Sequence, residues 1–299
     1  MKIGAFETAG PLPELDKPHA IAMMRPWVDV GNIGTVVLAR LERHFQAKEL
    51  AKLAQPGHFF DFTRYRPILR YVDGERRVTI PNTFINYSQQ EGMRDLLFLH
   101  LLEPHSSAEE YIKSVLKLFK TLGVTRYLLV GGMYDVVPHT RPLLVSGSLR
   151  MEGGEEIAER FHIKSSTYEG PTSILYMVSR EAQQMGMETG NLTVHLPQYV
   201  QLEEDLSGAA AALEVLGAIY PLPAELEGKE QGERQYRELS ATVARNPELR
   251  ALVQRLEALY DSRSAKKEVV VEEEEEEGPP LSKEVERFLL DIDKRFGEN

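Results

Sequence analysis

The chain has 299 residues, of which 42% are hydrophobic and 27% are charged, a balance typical of a globular protein that buries a large core. It contains no cysteine, which excludes disulfides, thiolate zinc sites and cysteine nucleophiles. The formal net charge is −11 and no basic stripe with interleaved aromatic residues occurs, which argues against nucleic-acid binding. The first residues lack an apolar signal segment and no stretch is long enough to span a bilayer, so we expect a cytoplasmic protein that does not enter a membrane.

Short apolar runs alternate with helical patterns from residue 19 onward, the order expected of a sheet covered by helices. Residues 19–25 predict a first strand, and the segment after them predicts a glycine-containing turn followed by an amphipathic helix. Two further strand-like runs flank Asp73 and Gly74, a dipeptide that tolerates positive φ and favours a tight hairpin.

The middle of the chain predicts the centre of the sheet. Residues 95–103 are too uniformly apolar to be half exposed, which indicates a strand buried on both faces. The helix after this strand has a predicted capping box, formed by Ser106 and Glu109, and is expected to stop at Gly123. Residues 124–130 predict the next strand.

The alternation continues with a short strand, two helices, a further strand and a helix rich in small residues. Their positions are 142–148, 153–162, 173–186, 191–197 and 207–220, respectively. After Pro223 the pattern changes to two charged amphipathic helices. Asn246 followed by Pro247 is a favourable start for the second of them, because asparagine caps helices and proline suits the first helical position.

We therefore expect four regions along the chain. They are an α/β domain at 1–222, a helical appendage at 223–262, an acidic disordered linker at 263–280 and a terminal amphipathic helix at 281–299. The linker is expected to stay extended because the consecutive glutamates at 272–277 repel one another. The terminal helix carries an apolar stripe that gains stability only when it docks on the body or on a partner.

The segment GGMYDVVPHTRP, residues 131–142, directly follows a predicted strand. Ligand sites in open α/β sheets gather at the carboxyl ends of strands. Here His139 offers a group that titrates near neutrality, and Arg141 offers a permanent anion binder. Pro138 and Pro142 restrict the backbone and would equally make a rigid turn. The residues alone leave a binding site and a structural turn as open alternatives.

Three histidines and three carboxylates fall near predicted strand ends and can meet in one cleft. They are His105, His139, His195, Asp29, Glu103 and Glu169. The alternative for each histidine is a hydrogen-bonded structural role, since sequence spacing does not bring them together. The separation of His100 from His105 is not a zinc-helix spacing, so no metal site is predicted.

The motifs that indicate nucleotide binding or serine hydrolysis are incomplete. The segment DVGNIGT has Gly31 and Gly34 without the full G-x-G-x-x-G pattern, and no P-loop sequence occurs. Residues 145–148, VSGS, do not match the G-x-S-x-G nucleophile elbow. No cofactor is predicted.

Five segments resemble, in order and approximate spacing, the proteasome assembly chaperone 2 family. They are RPWVDVGNIGT (25–35), FLHLLEPH (98–105), GGMYDVVPHTRP (131–142), YEGPTSI (168–174) and VHLPQYV (194–200). The later helices resemble the longer bacterial branch of this family. The resemblance implies an α/β fold, a three-layer αβα sandwich similar to nucleoside phosphorylases with a C-terminal helical appendage, assembled as a homotrimer.

The resemblance also marks candidate cleft or signature residues without an established reaction. They are Asp29, Gly31, Glu103, His105, Gly131, Gly132, His139, Arg141, Glu169 and Tyr199. Glu169 is a predicted partner of Arg141. Gln198 stands where many relatives have histidine, which weakens a catalytic role for that segment. The chain ends with 297–299, Gly-Glu-Asn, where proteasome-docking members carry a penultimate tyrosine, and this argues against docking through the C-terminus.

These observations favour a non-catalytic assembly or chaperone-like protein that acts on an unidentified protein client. The alternatives are a nucleoside phosphorylase-like or hydrolase-like enzyme and an ATP-grasp-type ligase, with a cleft at the strand carboxyl ends. The first alternative rests on fold analogy. The ligase alternative lacks a phosphate-binding or magnesium-ligand pattern in the sequence.

Overall fold

The computed structural model describes residues 1–165, 170 and 172–269, and residues 1–257 form one compact unit. The strands in chain order are β1 (Lys2–Ile3), β2 (Phe6–Thr8), β3 (His19–Arg25), β4 (Lys48–Leu53), β5 (Ile68–Val72), β6 (Glu75–Thr79), β7 (Phe84–Ser88), β8 (Leu96–Leu102), β9 (Arg126–Asp135), β10 (Val145–Arg150) and β11 (Glu188–Pro197). The α-helices are α1 (Ile33–His44), α2 (Ala108–Leu122), α3 (Gly154–Arg160), α4 (Ile174–Gln184), α5 (Leu206–Ile219), α6 (Lys229–Ala244) and α7 (Pro247–Val269).

A mixed sheet of nine strands, in the order β1-β2-β4-β7-β8-β3-β9-β11-β10, organises the described chain. β3 lies between β8 and β9 and runs parallel to both, and β11 runs parallel to β9. The remaining neighbours in this sheet pair in antiparallel fashion. The carboxyl ends of β8, β3, β9 and β11 therefore share one edge, where ligand sites gather in open α/β sheets.

Helices cover both faces of this sheet. All 7 residues of the central strand β8 are therefore buried. Leu97, Leu99 and Leu101 face a core that includes side chains of α2 and α4. Leu96 and Phe98 face a second core that includes side chains of α1 and α5. The central strand and the three-layer αβα sandwich are confirmed, whereas the similarity to nucleoside phosphorylases stays a prediction.

Several local predictions are also confirmed. The first predicted strand coincides with β3, and the strand predicted after Gly123 is the beginning of β9. Gly123 ends α2 in the left-handed conformation with φ 69°. Asp73 and Gly74, with φ of 53° and 81°, connect β5 to β6 in the predicted hairpin. Both strands of the hairpin are exposed along their whole length.

The predicted capping box at the start of α2 is wrong. Ser107 is the N-cap residue, its backbone is left-handed with φ 52°, and its side chain makes no capping hydrogen bond. The hydroxyl of Ser106 donates instead to the carbonyl oxygen of His58 at 2.7 Å. The Ser106 hydroxyl therefore bonds a distant loop and is not available to cap the helix.

Two helices follow the α/β sandwich, and the second starts as predicted. Asn246 Oδ1 accepts hydrogen bonds from the backbone N–H groups of Glu248 at 2.9 Å and Leu249 at 3.3 Å. This helix, α7, continues to Val269, past the predicted end of the appendage at 262, since alanine, lysine and glutamate are good helix formers.

The rest of the predicted linker and the terminal helix at 281–299 lie outside the described residues. The division of the chain into four regions therefore stays a prediction. In the part of the chain that the structure describes, no helix combines the length and the hydropathy needed to cross a bilayer.

Candidate functional site

The two glycines at the start of the signature loop, residues 131–142, allow another segment to cross β9. A Cβ atom at Gly131 would lie 2.0 Å from the carbonyl oxygen of Val28. The N–H of Gly132 donates to the same oxygen at 2.9 Å, and Gly132 forms a parallel bridge with Asp29. The glycines therefore have a structural role, because a side chain would push the turn between β3 and α1 off the strand.

Asp29 is buried and holds the first turn of α1. Its Oδ1 accepts a hydrogen bond from the N–H of Gly34 at 2.7 Å, and its Oδ2 accepts one from the hydroxyl of Thr35 at 2.6 Å. Burial raises the pKa of Asp29, and the hydrogen bonds from Thr35 and Gly34 oppose that rise. Asn32 occupies the N-cap position of α1 without a side-chain hydrogen bond, and Asp29 supplies the capping acceptors in its place.

Gly31 connects this turn to α5. Its φ of 60° is left-handed, and its carbonyl oxygen accepts a hydrogen bond from the N–H of Asp205 at 2.9 Å. The carboxylate of Asp205 accepts from the N–H of Gly208 and from the hydroxyl of Tyr236, each at 2.8 Å. Burial raises the pKa of Asp205, against the effect of these hydrogen bonds. Asp205 thus joins the β3–α1 turn to α5 and α6, through its backbone N–H to the turn and through its carboxylate to the two helices.

His139 is buried and uses both ring nitrogens within the protein. Its Nδ1 lies 2.5 Å from the hydroxyl of Tyr199, and its Nε2 lies 3.0 Å from Ser240 Oγ. The Ser240 hydroxyl donates to the carbonyl oxygen of Tyr236, and the Tyr199 oxygen accepts from the backbone N–H of His139. The ring proton therefore lies on Nε2, which donates to Ser240. Burial lowers the pKa of His139 and so favours the neutral ring, while the charge of Glu257 opposes this effect.

Thr140 and Arg141 contact α7 through Glu257. The Thr140 hydroxyl donates to Glu257 Oε1 at 2.5 Å, and Arg141 Nη1 lies 3.2 Å from the same oxygen. The predicted partner Glu169 lies outside the described residues, so its pairing with Arg141 stays a prediction. An open cleft of about 310 Å³ adjoins these contacts. It is lined by His139, Thr140, Arg141, Ser207, Tyr236 and Ser240, among others.

Glu103 and His105 belong to a different group of contacts, at the carboxyl end of β8. His105 Nδ1 accepts a hydrogen bond from the N–H of Asp61 at 3.1 Å, and its ring centroid lies 4.4 Å from that of Tyr65. The Tyr65 hydroxyl donates to the carbonyl oxygen of Glu103 at 3.0 Å, and burial raises the pKa of the Glu103 carboxyl. The five of these six groups that the structure describes are therefore divided among several sites, and Glu169 lies outside the described residues. Across the described residues no cluster suited to a metal ion occurs.

A further group joins Asp135, His195 and Ser146, which lie on the neighbouring strands β9, β11 and β10. His195 Nδ1 lies 2.8 Å from Asp135 Oδ2, and His195 Nε2 lies 2.8 Å from Ser146 Oγ. Sequence reasoning placed His195 near a strand end but missed its two partners. The register of these strands reveals Asp135 and Ser146 as the partners of His195. Spacing along the chain does not give that register.

The PAC2 family model matches residues 23–242, which is most of the chain. The chain belongs to the PAC2 family. The five segments that carry the resemblance all lie within the matched range, so the recognition from sequence is confirmed. No curated protein matches this PAC2 protein.

Solved structures with the same fold come from bacteria and archaea. The Mycobacterium tuberculosis protein Rv2714, of unknown function, superposes with a TM-score of 0.77 and 23% identity over 90% of this chain and 92% of its own. The proteasome-assembly chaperone homologue Rv2125 from the same organism has a TM-score of 0.68 and 25% identity, covering 78% of this chain and 99% of its own. PbaB of Pyrococcus furiosus, an archaeal proteasome activator, has a TM-score of 0.62 and 16% identity, covering 80% and 98%. This PAC2 protein therefore shares its α/β fold with proteins connected to proteasomes.

Proposed function

We propose that this PAC2 protein is a non-catalytic assembly or chaperone-like protein that acts through protein–protein surfaces, as a cytoplasmic homotrimer. The observation that carries the proposal is the family match over residues 23–242, together with the fold shared with a proteasome-assembly chaperone homologue. The comparisons do not favour the phosphorylase-like, hydrolase-like or ATP-grasp alternatives. The client class we propose is the subunits of a proteasome-type assembly.

The contacts of the signature loop agree with a non-catalytic role. The ring nitrogens of His139 bond Tyr199 and Ser240, and Arg141 lies beside Glu257. These bonds fix the loop to α6 and α7. The Ser240 hydroxyl donates to Tyr236, so His139 Nε2 donates to Ser240 and offers this serine no lone pair with which to act as a base.

The hairpin β5–β6 offers a surface for a client. Strand register places Leu69 opposite Val78 and Tyr71 opposite Arg76 on one face, which we call the hairpin face. Leu69, Tyr71 and Val78 are 53%, 66% and 59% exposed. An isolated two-stranded ribbon is marginally stable in water, and exposed apolar side chains on such a ribbon gain stability when a partner covers them.

The charge of the hairpin indicates the chemistry of that client. Residues 66–77 contain four arginines and two carboxylates, within a chain whose net charge is −11. Arg76 Nε donates to the Tyr71 hydroxyl at 2.6 Å, which places a guanidinium beside the apolar side chains. We therefore propose that the client presents an apolar patch bordered by carboxylates.

The proposal is tested by mixing the purified chain with recombinant proteasome core subunits and following complexes by native mass spectrometry. We expect binding to the subunits, faster ring assembly, and a trimeric mass for the chain alone. A variant with Leu69, Tyr71 and Val78 changed to serine should keep its melting temperature and trimeric mass but bind the subunits at least tenfold more weakly.

The matched control changes two exposed residues to serine, Tyr176 of α4 and Met185, which directly follows that helix; these are 60% and 44% exposed. This variant should bind as the unchanged protein does. Equal weakening in both variants would contradict the role of the hairpin face. Absence of binding and of any change in ring assembly with the unchanged chain would overturn the proposed client class.

A further inference from the structure

The register of three strands brings a serine, a histidine and an aspartate onto one face of the sheet. β11 pairs with β9 so that Pro197 lies opposite Asp135, and with β10 so that Thr193 lies opposite Ser146. His195 is two residues from Pro197 and two from Thr193. Side chains two residues apart share a face of a strand, so His195 is the diagonal neighbour of both Asp135 and Ser146.

The atoms that meet in this group have the order of a proton relay. Asp135 Oδ2 lies 2.8 Å from His195 Nδ1, and Ser146 Oγ lies 2.8 Å from His195 Nε2. An ionised carboxylate only accepts hydrogen bonds, so Nδ1 carries the proton and donates to Asp135. Nε2 of the neutral ring then holds a lone pair and accepts from the hydroxyl of Ser146. This is the tautomer that a general base needs.

The surroundings hold these side chains in place while leaving them within reach of solvent. Asp135 Oδ1 accepts a hydrogen bond from the N–H of Val136 at 2.6 Å, and the N–H of His195 donates to the carbonyl oxygen of Leu144 at 2.9 Å. The side chains of His195 and Asp135 are 17% and 29% exposed. Ser146 is half-buried. The geometry therefore differs from that of His139, whose Nε2 donates to Ser240.

We propose that Ser146 is a nucleophile activated by His195 and Asp135, and that the chain hydrolyses small activated carboxylic esters at this site. The assembly role needs no catalysis, so this hydrolysis is a separate, additional activity that uses residues outside the hairpin face. We call Ser146, His195 and Asp135 the β9–β11 triad. Its place on strands explains why no nucleophile-elbow motif accompanies it, since the serine here is oriented by sheet pairing.

The reaction balances without any cofactor. Ser146 Oγ bonds to the carbonyl carbon of the ester while its proton moves to His195 Nε2. The bond from that carbon to the alcohol oxygen breaks, and His195 returns the proton to the departing alcohol. Water then attacks the acyl-serine, loses a proton to His195 and releases the carboxylic acid as the Ser146 oxygen recovers the proton. Asp135 stays ionised and stabilises the imidazolium in both steps.

The probe for this site is diisopropyl fluorophosphate, which forms a bond from phosphorus to an activated serine oxygen and expels fluoride. The full chain is incubated with the probe, and adducts are located by intact-mass and peptide mass spectrometry. We expect one adduct per chain, on Ser146. With p-nitrophenyl acetate we expect an initial burst of p-nitrophenol that does not exceed one equivalent per chain.

Three variants and one matched control decide the assignment. Ser146→Ala should lose the adduct and the burst, and His195→Gln and Asp135→Asn should each slow adduct formation by roughly 10²-fold or more. Ser148→Ala changes the next serine on the same face of β10 and should react at the unchanged rate. Circular dichroism melts establish that each variant is folded.

Two outcomes would overturn the proposal. One is the absence of an adduct on Ser146 in the unchanged protein at millimolar probe. The other is an adduct on Ser146 whose rate is the same in folded Asp135→Asn protein, because a merely exposed serine does not depend on the carboxylate. Neither outcome bears on the assembly role, since binding of subunits is measured separately.

Discussion

His19, the first residue of β3, is a half-buried histidine whose environment favours the neutral ring. Within the described part of the chain its Nδ1 is buried without a hydrogen-bond partner. Burial, with a smaller contribution from the charge of Arg126, lowers the pKa of His19 from 6.5 to about 4. In the unfolded chain the ring regains its ordinary pKa of 6.5. Between pH 6.5 and about 4 the folded and unfolded states therefore bind different numbers of protons at His19.

This difference predicts a loss of stability in acid. Between pH 6.5 and about 4 the unfolded state binds more protons than the folded state, so the free energy of unfolding falls as the pH falls through that window. We expect His19 to account for about 1 kcal/mol of this loss, less than the full shift implies because the ring is only half-buried. Urea titrations at pH 7 and pH 4.5 measure how much the free energy of unfolding falls between these two pH values. This fall should be smaller for His19→Gln than for the unchanged protein. For the exposed control His44→Gln it should equal that of the unchanged protein. If the free energy of unfolding depends on pH equally in all three proteins, His19 does not cause the loss of stability in acid.

Asp29 gives a second prediction at the scale of single residues. Asp29→Ala removes the acceptor for the N–H groups of Gly34 and Thr35 and should lower the free energy of unfolding by about 2 kcal/mol. Asp16→Ala is the matched control, because the Asp16 side chain is 81% exposed, and it should cost less than about 0.5 kcal/mol. Equilibrium urea unfolding measures both. Similar costs for the two variants would contradict the capping role.

At the scale of elements, the contact of the signature loop with α7 predicts a difference between two arginines. Arg141→Ala removes the partner of Glu257 and should lower stability by roughly 0.5–1 kcal/mol, a modest effect because the Arg141 side chain is 33% exposed. Arg150→Ala removes an exposed hydrogen bond to Gln183 and should have a smaller effect. Thermal melts measure the stabilities, and hydrogen exchange of residues 247–257 should accelerate only in Arg141→Ala. Acceleration in neither variant would show that the contact does not hold α7.

Elements defined by local composition were predictable, and elements defined by distant partners were not. β8 is apolar at nearly every position, which is sufficient to predict burial on both faces. β4, with the sequence KELAKL, reads as polar and becomes a strand only because β2 and β7 pair with it. Ser106 was assigned to a helix cap by its spacing from Glu109, but the contact that it makes is with His58, far away in the chain.

The residues of the candidate site also fall into those that the sequence marks and those that only the three-dimensional arrangement brings together. Resemblance marked His139 and Tyr199, and the structure joins them directly. The contact of Arg141 with Glu257 and the β9–β11 triad follow from how helices and strands are placed in three dimensions. Periodicity along the sequence carries no information on that placement.

At the scale of the whole molecule, the two cores on opposite faces of the sheet share the strand β8. Phe98 belongs to one core and Leu99 to the other, and both are 0% exposed. Residues 1–257 should therefore unfold in one cooperative transition. Leu99→Ala should cost about 2–5 kcal/mol and Phe98→Ala about 3–5 kcal/mol, each shifting the whole transition.

Urea unfolding followed by both circular dichroism and tyrosine fluorescence tests this expectation. Leu69→Ala, at an exposed position of the hairpin face, is the control and should shift the midpoint little. Two separate transitions, each sensitive to only one of the core variants, would show that the faces of the sheet unfold independently.

The central position of β3 has a consequence for the order in which the protein is made. β3 spans His19–Arg25, yet its two neighbours are Leu96–Leu102 and Arg126–Asp135. A ribosome synthesises the chain from its amino end, so this apolar strand emerges well before either neighbour exists to pair with it. Unpaired apolar strands are prone to pair and aggregate with other chains. The nascent PAC2 protein therefore passes through a stage in which its central strand is apolar and unpaired.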